Sequence, residues 1–82
     1  MHNLTLVTAS DCHLCEHARH VLDRIRHDVP FSLRTVDVES AEAQALAEQG
    51  IPLAFLPALV EGGRLLAYGR LSEKRLRKEL AA

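Results

Sequence analysis

The chain has 82 residues, with ten Lys and Arg against eleven Asp and Glu, and only two cysteines. This length allows one domain, which we expect to span residues 1–82, and two cysteines are too few for a disulfide-built scaffold. The net charge of −1 does not indicate a broad electropositive surface that would bind nucleic acid or an anionic membrane. No apolar run approaches the roughly 20 residues that span a bilayer. The N-terminal residues do not resemble a secretion signal, so a cytoplasmic protein is expected.

The first half of the chain predicts a strand–helix–strand unit. Residues 4–8 are apolar and β-branched, which is typical of a buried strand. From Cys12 to Val29, apolar residues recur at spacings of three and four, which predicts an amphipathic helix that ends before Pro30. Residues 31–38 alternate between apolar and polar side chains and predict a second strand.

A second helix and a hairpin follow. Ser40 is suited to cap a helix that continues to Gln49, with Gly50 at its C-terminal end. Residues 58–60 and 64–67 flank a turn that contains Gly62 and Gly63, so they predict a β-hairpin in which both glycines supply positive φ.

The last segment predicts a third helix. Ser72 can cap it, and Leu76 and Leu80 lie one turn apart on its apolar face. The apolar run 53–56 before the hairpin is either core or the floor of a substrate groove, and we expect core. The order βαβαββα therefore predicts an α/β fold with a four-stranded mixed sheet and three helices.

Cys12 and Cys15 lie where the first strand gives way to the first helix. A helix N-terminus presents unpaired backbone N–H groups and a positive dipole end, which both favour a thiolate. The spacing lets the two thiols close a disulfide, with Cys12 as the exposed nucleophile and Cys15, on the apolar stripe, as the resolving thiol. Zinc sites use the same spacing, so a zinc or copper(I) site with a histidine, or two merely buried cysteines, are alternatives.

Charged and titratable residues surround the pair. His13 lies between the cysteines, where it could stabilise a thiolate or relay protons, while Asp11 places a negative charge beside Cys12. We expect His17, His20 and His27 to face solvent.

In these features the chain resembles the small glutaredoxin-like members of the thioredoxin superfamily over nearly its whole length. The features are Cys12-His13-Leu14-Cys15 after the first strand, Pro57 before the third, the Glu61-Gly62-Gly63 turn, and Tyr68-Gly69 before the last helix. The resemblance implies a thioredoxin-like fold and thiol–disulfide oxidoreductase activity. It also implies a cis bond before Pro57, and a thiol-binding set of Leu56, Pro57 and Gly69 in which Leu56 offers its backbone to substrate. Pro52 is the other candidate, but a strand after it would be interrupted by Pro57.

The sequence also departs from the family pattern. The basic residue just upstream of the cysteines is absent, because these positions are Ala9, Ser10 and Asp11. The acidic residues that often hold glutathione at the start of the last helix are replaced by Arg70 and its neighbours, although Glu73 is near. Glutathione is therefore a candidate co-substrate only, and no other cofactor is expected.

The resemblance implies a monomer that acts on disulfide-containing proteins or low-molecular-weight thiols, without nucleic acid or membrane partners. An iron–sulfur cluster bridging two subunits, which some glutaredoxins bind, is a further alternative. So is a thioredoxin-fold binding module whose cysteines do not turn over.

Overall fold

The computed structural model describes residues 1–81. Seven elements follow one another in the predicted order. They are β1 (His2–Thr8), α1 (His13–Arg26), β2 (Phe31–Asp37), α2 (Ala41–Glu48), β3 (Ala58–Glu61), β4 (Arg64–Tyr68) and α3 (Glu73–Ala81). Within residues 1–81, no helix has both the length and the apolar character that a membrane span requires.

The four strands form one mixed sheet in the order β2-β1-β3-β4. β1 and β2 run parallel, whereas β1 with β3 and β3 with β4 are antiparallel. The predicted α/β fold is therefore confirmed, including its four strands and three helices. The α1 helix supplies the long crossover connection that two consecutive parallel strands require.

Apolar side chains cover both faces of the sheet. Leu6 and Leu59 face one side, where they pack with buried residues of α1 and α3, among them Leu22 and Leu76. The other side carries a smaller cluster in which Ala43 is the buried residue of α2. The alternation of side chains along each strand divides the apolar residues between the two faces.

The ends of the elements differ slightly from the sequence-based prediction. The first strand begins at His2 instead of Leu4, and α1 ends at Arg26 instead of Val29. Two turn residues and a bend at Val29 complete the helix end before Pro30, with hydrogen bonds from the amides of Asp28 and Val29 to the Ile25 carbonyl. In the hairpin only Gly62 has positive φ, so the expectation that both glycines adopt it was wrong.

Strand β4 contains an irregularity that periodicity did not predict. Leu59 is paired with Ala67 and Val60 with Leu65, which leaves Leu66 as an extra residue in β4. As a result, Leu66 and Ala67 both pack towards the α1–α3 face, whereas Leu65 packs on the opposite face. Such a bulge bends an edge strand and disturbs its regular hydrogen-bonding row.

Ion pairs join α1 to α3. The Arg77 guanidinium donates to Asp28 at 2.7 Å and to Glu73 at 3.0 Å, and Arg24 donates to Glu73 at 2.9 Å. The two arginines lower the pKa of Glu73, with the hydrogen bond from Arg24 as the first cause and that from Arg77 as the second.

Candidate redox site

The candidate site lies at one end of the sheet, where several strand ends meet. Thr8 is paired with Asp37, Val7 with Ala58, and Ala58 with Tyr68. These pairings bring the C-terminal ends of β1, β2 and β4 to the N-terminal end of β3. We call this the cysteine end of the sheet, because the turn after Thr8 leads directly into Cys12.

A tight turn places Cys12 at the start of α1. Asp11 has φ of 53°, a left-handed conformation that Asp tolerates better than most residues. Cys12 is extended (φ −111°, ψ 105°) and forms the N-cap. Its sulfur accepts a hydrogen bond from the Cys15 amide at 3.1 Å, the position that a Ser or Asp oxygen occupies in an ordinary cap.

Cys12 and Cys15 are joined by a disulfide, with Cα atoms 5.2 Å apart. The two residues differ in exposure, since Cys12 is half-buried and Cys15 retains only 3% of its surface. A partner could therefore reach the sulfur of Cys12 more readily than that of Cys15, which packs into the apolar stripe of α1.

His13 and Asp11 are both exposed beside the disulfide. A cleft of about 460 Å³ adjoins Cys12, and His13 and Asp11 are among the residues that line it. Its wall also includes Glu16, Arg19 and Asp37, which the sequence-based search for site residues missed. Asp37 could have been found from the parallel pairing of β1 and β2, and Glu16 and Arg19 from their spacing of four and seven residues after Cys12 along α1.

Pro57 lies at the same end of the sheet, immediately before β3. The Leu56–Pro57 peptide bond is cis, as the family resemblance implied for this proline and not for Pro52. The Gly69 amide donates to the Pro57 carbonyl at 2.9 Å, and Gly69 itself has φ of 68°. Within residues 1–81, the half-buried Leu56 uses neither its amide nor its carbonyl in a backbone hydrogen bond.

An exposed aromatic pair borders this loop. The rings of Phe55 and Tyr68 lie 5.8 Å apart, and 67% and 57% of their surfaces face solvent. The expectation that residues 53–56 form core is therefore wrong for Ala54 and Phe55, which are both exposed. Only Leu53 and Leu56 of this run pack, half-buried, against the smaller apolar cluster.

One histidine departs from its prediction. His20 and His27 are exposed as expected, but His17 is half-buried and its Nδ1 atom has no hydrogen-bond partner within residues 1–81. It lies next to Ala18 on α1, at the margin of the buried stripe, and this position explains its burial. Within that range no three His, Cys, Asp or Glu side chains are grouped so that they could hold a metal ion.

Comparison with known folds agrees with this architecture. A thioredoxin mutant from Halobacterium salinarum NRC-1 is 20% identical, with a TM-score of 0.67 over 95% of this chain and 70% of its own. Oxidised thioredoxin O2 from Arabidopsis thaliana is also 20% identical, with a TM-score of 0.68 over 96% of this chain and 71% of its own. A structure described as a malarial protein is 19% identical, with a TM-score of 0.66 over 98% and 97% of the two chains. At these identities the similarity establishes the thioredoxin-like fold alone.

The sequence itself identifies the family. No protein with a curated description matches the chain. The family model described as "Glutaredoxin-like domain (DUF836)", however, matches residues 3–81, which include both cysteines, Pro57 and Gly69. The chain therefore belongs to the glutaredoxin-like family.

Proposed function

We propose that the protein is a thiol–disulfide oxidoreductase in which Cys12 is the nucleophile and Cys15 the resolving thiol. The observation that carries the proposal is the position of Cys12 as the N-cap of α1. Its sulfur accepts a hydrogen bond from the Cys15 amide at 3.1 Å. In the reduced protein, the same N–H group and the helix dipole favour the thiolate of Cys12, the form that attacks disulfides.

The reaction consists of two exchanges. The Cys12 thiolate attacks one sulfur of a substrate disulfide, so that a mixed disulfide forms and the first substrate thiolate leaves. The Cys15 thiolate then attacks the Cys12 sulfur and releases the second substrate thiolate. The two protein thiols are oxidised to the Cys12–Cys15 disulfide, the substrate disulfide is reduced to two thiols, and the two protons pass to the products.

Two neighbours would modulate this chemistry in opposite directions. A protonated His13 adds a positive charge that favours the Cys12 thiolate, whereas the Asp11 carboxylate disfavours it. Arg19, which lines the same cleft, is a basic residue on the helix side of Cys12. It partly compensates for the missing basic residue upstream of the cysteines.

The loop opposite the cysteines is the proposed thiol-binding surface, formed by Leu56, Pro57 and Gly69. The support is that Pro57 and Gly69 are already hydrogen-bonded to each other, while the backbone of Leu56 has no such partner within residues 1–81. An extended substrate can therefore pair with Leu56. The proposed substrates are protein disulfides or low-molecular-weight thiols, with glutathione as candidate co-substrate, for a monomer working in the cytoplasm.

Trapping experiments test the roles of the two cysteines. Reduced protein is mixed with bis(2-hydroxyethyl) disulfide, quenched with iodoacetamide and analysed by mass spectrometry. Cys12→Ser should react only at the uncatalysed background rate, whereas Cys15→Ser should accumulate a stable 2-mercaptoethanol adduct on Cys12. The two variants are matched controls for one another, because each keeps one thiol of the pair.

An adduct on Cys15, or a Cys12→Ser variant that reacts as fast as the wild type, would refute the assignment. Wild-type protein that is isolated with stoichiometric zinc, copper or iron–sulfur and does not reduce the disulfide would support the metal-binding alternative. A metal-free protein that forms its disulfide but does not turn over would indicate a binding module.

A further inference from the structure

An open groove separates β4 from α3. It has a volume of about 840 Å³ and none of the residues that line the cleft beside Cys12 belongs to it. Its apolar surface comes mainly from the half-buried Leu66 and Ala67 of β4, while Leu76 of α3 lines the floor and is only 2% exposed. Surface of this kind, in a groove of this size, is typical of a binding site.

The charges along the groove are mostly positive. Arg70, Arg75 and Lys78 line it and are exposed, and none of them forms a salt bridge within residues 1–81. The one acidic residue in the lining, Glu79, is paired with Arg64 at 3.6 Å. By contrast, Arg77 on the other side of α3 is neutralised by two carboxylates. The unpaired cations of α3 thus include two that border the groove.

The groove begins near the proposed redox site. Tyr68 lines it and is paired with Ala58, the residue after Pro57. From this point β4 extends to Arg64 towards the opposite end of the sheet, about 13 Å away for four residue steps at the usual strand rise. A chain bound at Leu56 could therefore continue into the groove without leaving the surface.

We propose that this groove is a docking surface for an extended acidic segment of the polypeptide whose disulfide Cys12 attacks. Carboxylates of the segment would pair with Arg70, Arg75 and Lys78, while its apolar side chains contact Leu66 and Ala67. The bulge at Leu66 disturbs the edge of β4, so side-chain contacts rather than strand addition supply the recognition. The inference rests on the proposed function, because it describes the substrate of the same site.

Two peptide substrates test the charge preference. Each is a heptapeptide with one cysteine held as a 2-thiopyridyl disulfide; one alternates glutamate with leucine and the other lysine with leucine. Single-turnover rates with reduced wild-type protein are measured from 2-thiopyridone absorbance. We expect the second-order rate constant to favour the acidic peptide by about tenfold at low salt, and less at high salt. The net charge of the protein, −1, would favour the basic peptide, so a preference for the acidic peptide would come from the cations of the groove.

Reversing the charge of groove residues tests whether the preference for the acidic peptide arises at the groove. Arg75→Glu should reduce the ratio of the two rate constants severalfold, and the Arg70→Glu/Arg75→Glu double variant should invert it. Lys74→Glu is the matched control, because Lys74 precedes Arg75 on α3 and the net charge changes equally, but Lys74 does not line the groove. It should keep the wild-type ratio within about twofold.

Equal rates for both peptides, or an equal effect of Lys74→Glu, would overturn the docking proposal and leave the redox proposal intact. If neither peptide reacts, the redox proposal fails. In that case, fluorescence anisotropy measures binding of the labelled acidic peptide to the oxidised protein and so tests the docking surface without the redox reaction. Binding that Arg75→Glu does not weaken would refute the docking proposal. A dimer that Arg75→Glu dissociates in sedimentation would show that a second copy occupies the groove, which also refutes the proposal.

Discussion

Replacement of Leu22 by alanine tests how firmly α1, the helix that carries both cysteines, is held on the sheet. Leu22 is 1% exposed and packs in the α1–α3 face of the core. Removal of about three methylene equivalents costs about 2.4 kcal/mol at about 0.8 kcal/mol each, and the remaining cavity raises the total to about 3–5 kcal/mol. Leucine and alanine are both good helix formers, so propensity hardly contributes. A domain of 82 residues has about 4–12 kcal/mol of stability, so this loss is a large fraction.

Urea unfolding followed by far-UV circular dichroism measures the loss, on the oxidised protein so that the cysteines do not titrate. Leu46→Ala is the matched control, since Leu46 also lies in a helix but is only half-buried. Its loss should be about 1–1.5 kcal/mol, because less apolar surface is removed from the interior. A loss below about 1 kcal/mol for Leu22→Ala, or one no larger than that of Leu46→Ala, would refute the packing argument.

Two further predictions concern pH and the hairpin. The ring of His2 contacts two acceptors, the Glu61 carboxylate at 2.7 Å and the Leu80 carbonyl at 2.8 Å, and these hydrogen bonds raise the pKa of His2 above 6.5. The stability that protonated His2 contributes is therefore complete at pH values below its pKa in the unfolded chain, and it is lost as pH rises through its pKa in the folded protein. When the urea midpoint is measured against pH, His2→Gln should remove this decline, whereas the control His20→Gln should not. In the hairpin, Gly62→Ala should cost about 1 kcal/mol because Gly62 has φ of 62°, whereas Gly63→Ala should be neutral or slightly stabilising, since an added Cβ meets nothing within 4 Å at either position. Equal effects of the two substitutions in thermal unfolding would contradict this assignment.

The likeness of the chain to its family lies in backbone features more than in charge. The N-cap position of Cys12 and the loop of Pro57 and Gly69 are present, and in the proposed function they set where a thiol substrate lies. The charged residues around them differ from the family pattern, with Asp11 before the cysteines and Arg70 before α3. We therefore expect the reaction type to follow the family and the choice of partner to be this chain's own.

Local sequence was sufficient for the element order and for the redox motif. Apolar periods of two and about 3.6 distinguish strands from helices, and a cap such as Ser40 marks where a helix begins, because these signals act between residues close in the chain. Cys12 and Cys15 could be placed at the start of α1 for the same reason. The resemblance to a known family added the expectation of a cis proline before the third strand, and the strand pattern then favoured Pro57 over Pro52.

Tertiary structure alone decided which distant residues meet. The opposition of Thr8 and Asp37, the contact of Phe55 with Tyr68 and the bulge at Leu66 all depend on how separate strands are paired. The burial of His17 likewise depends on what packs against α1. A segment's own periodicity carries no information on these partners. They are set by the lowest free energy of the assembled sheet and helices, in which strand register and side-chain packing are chosen together.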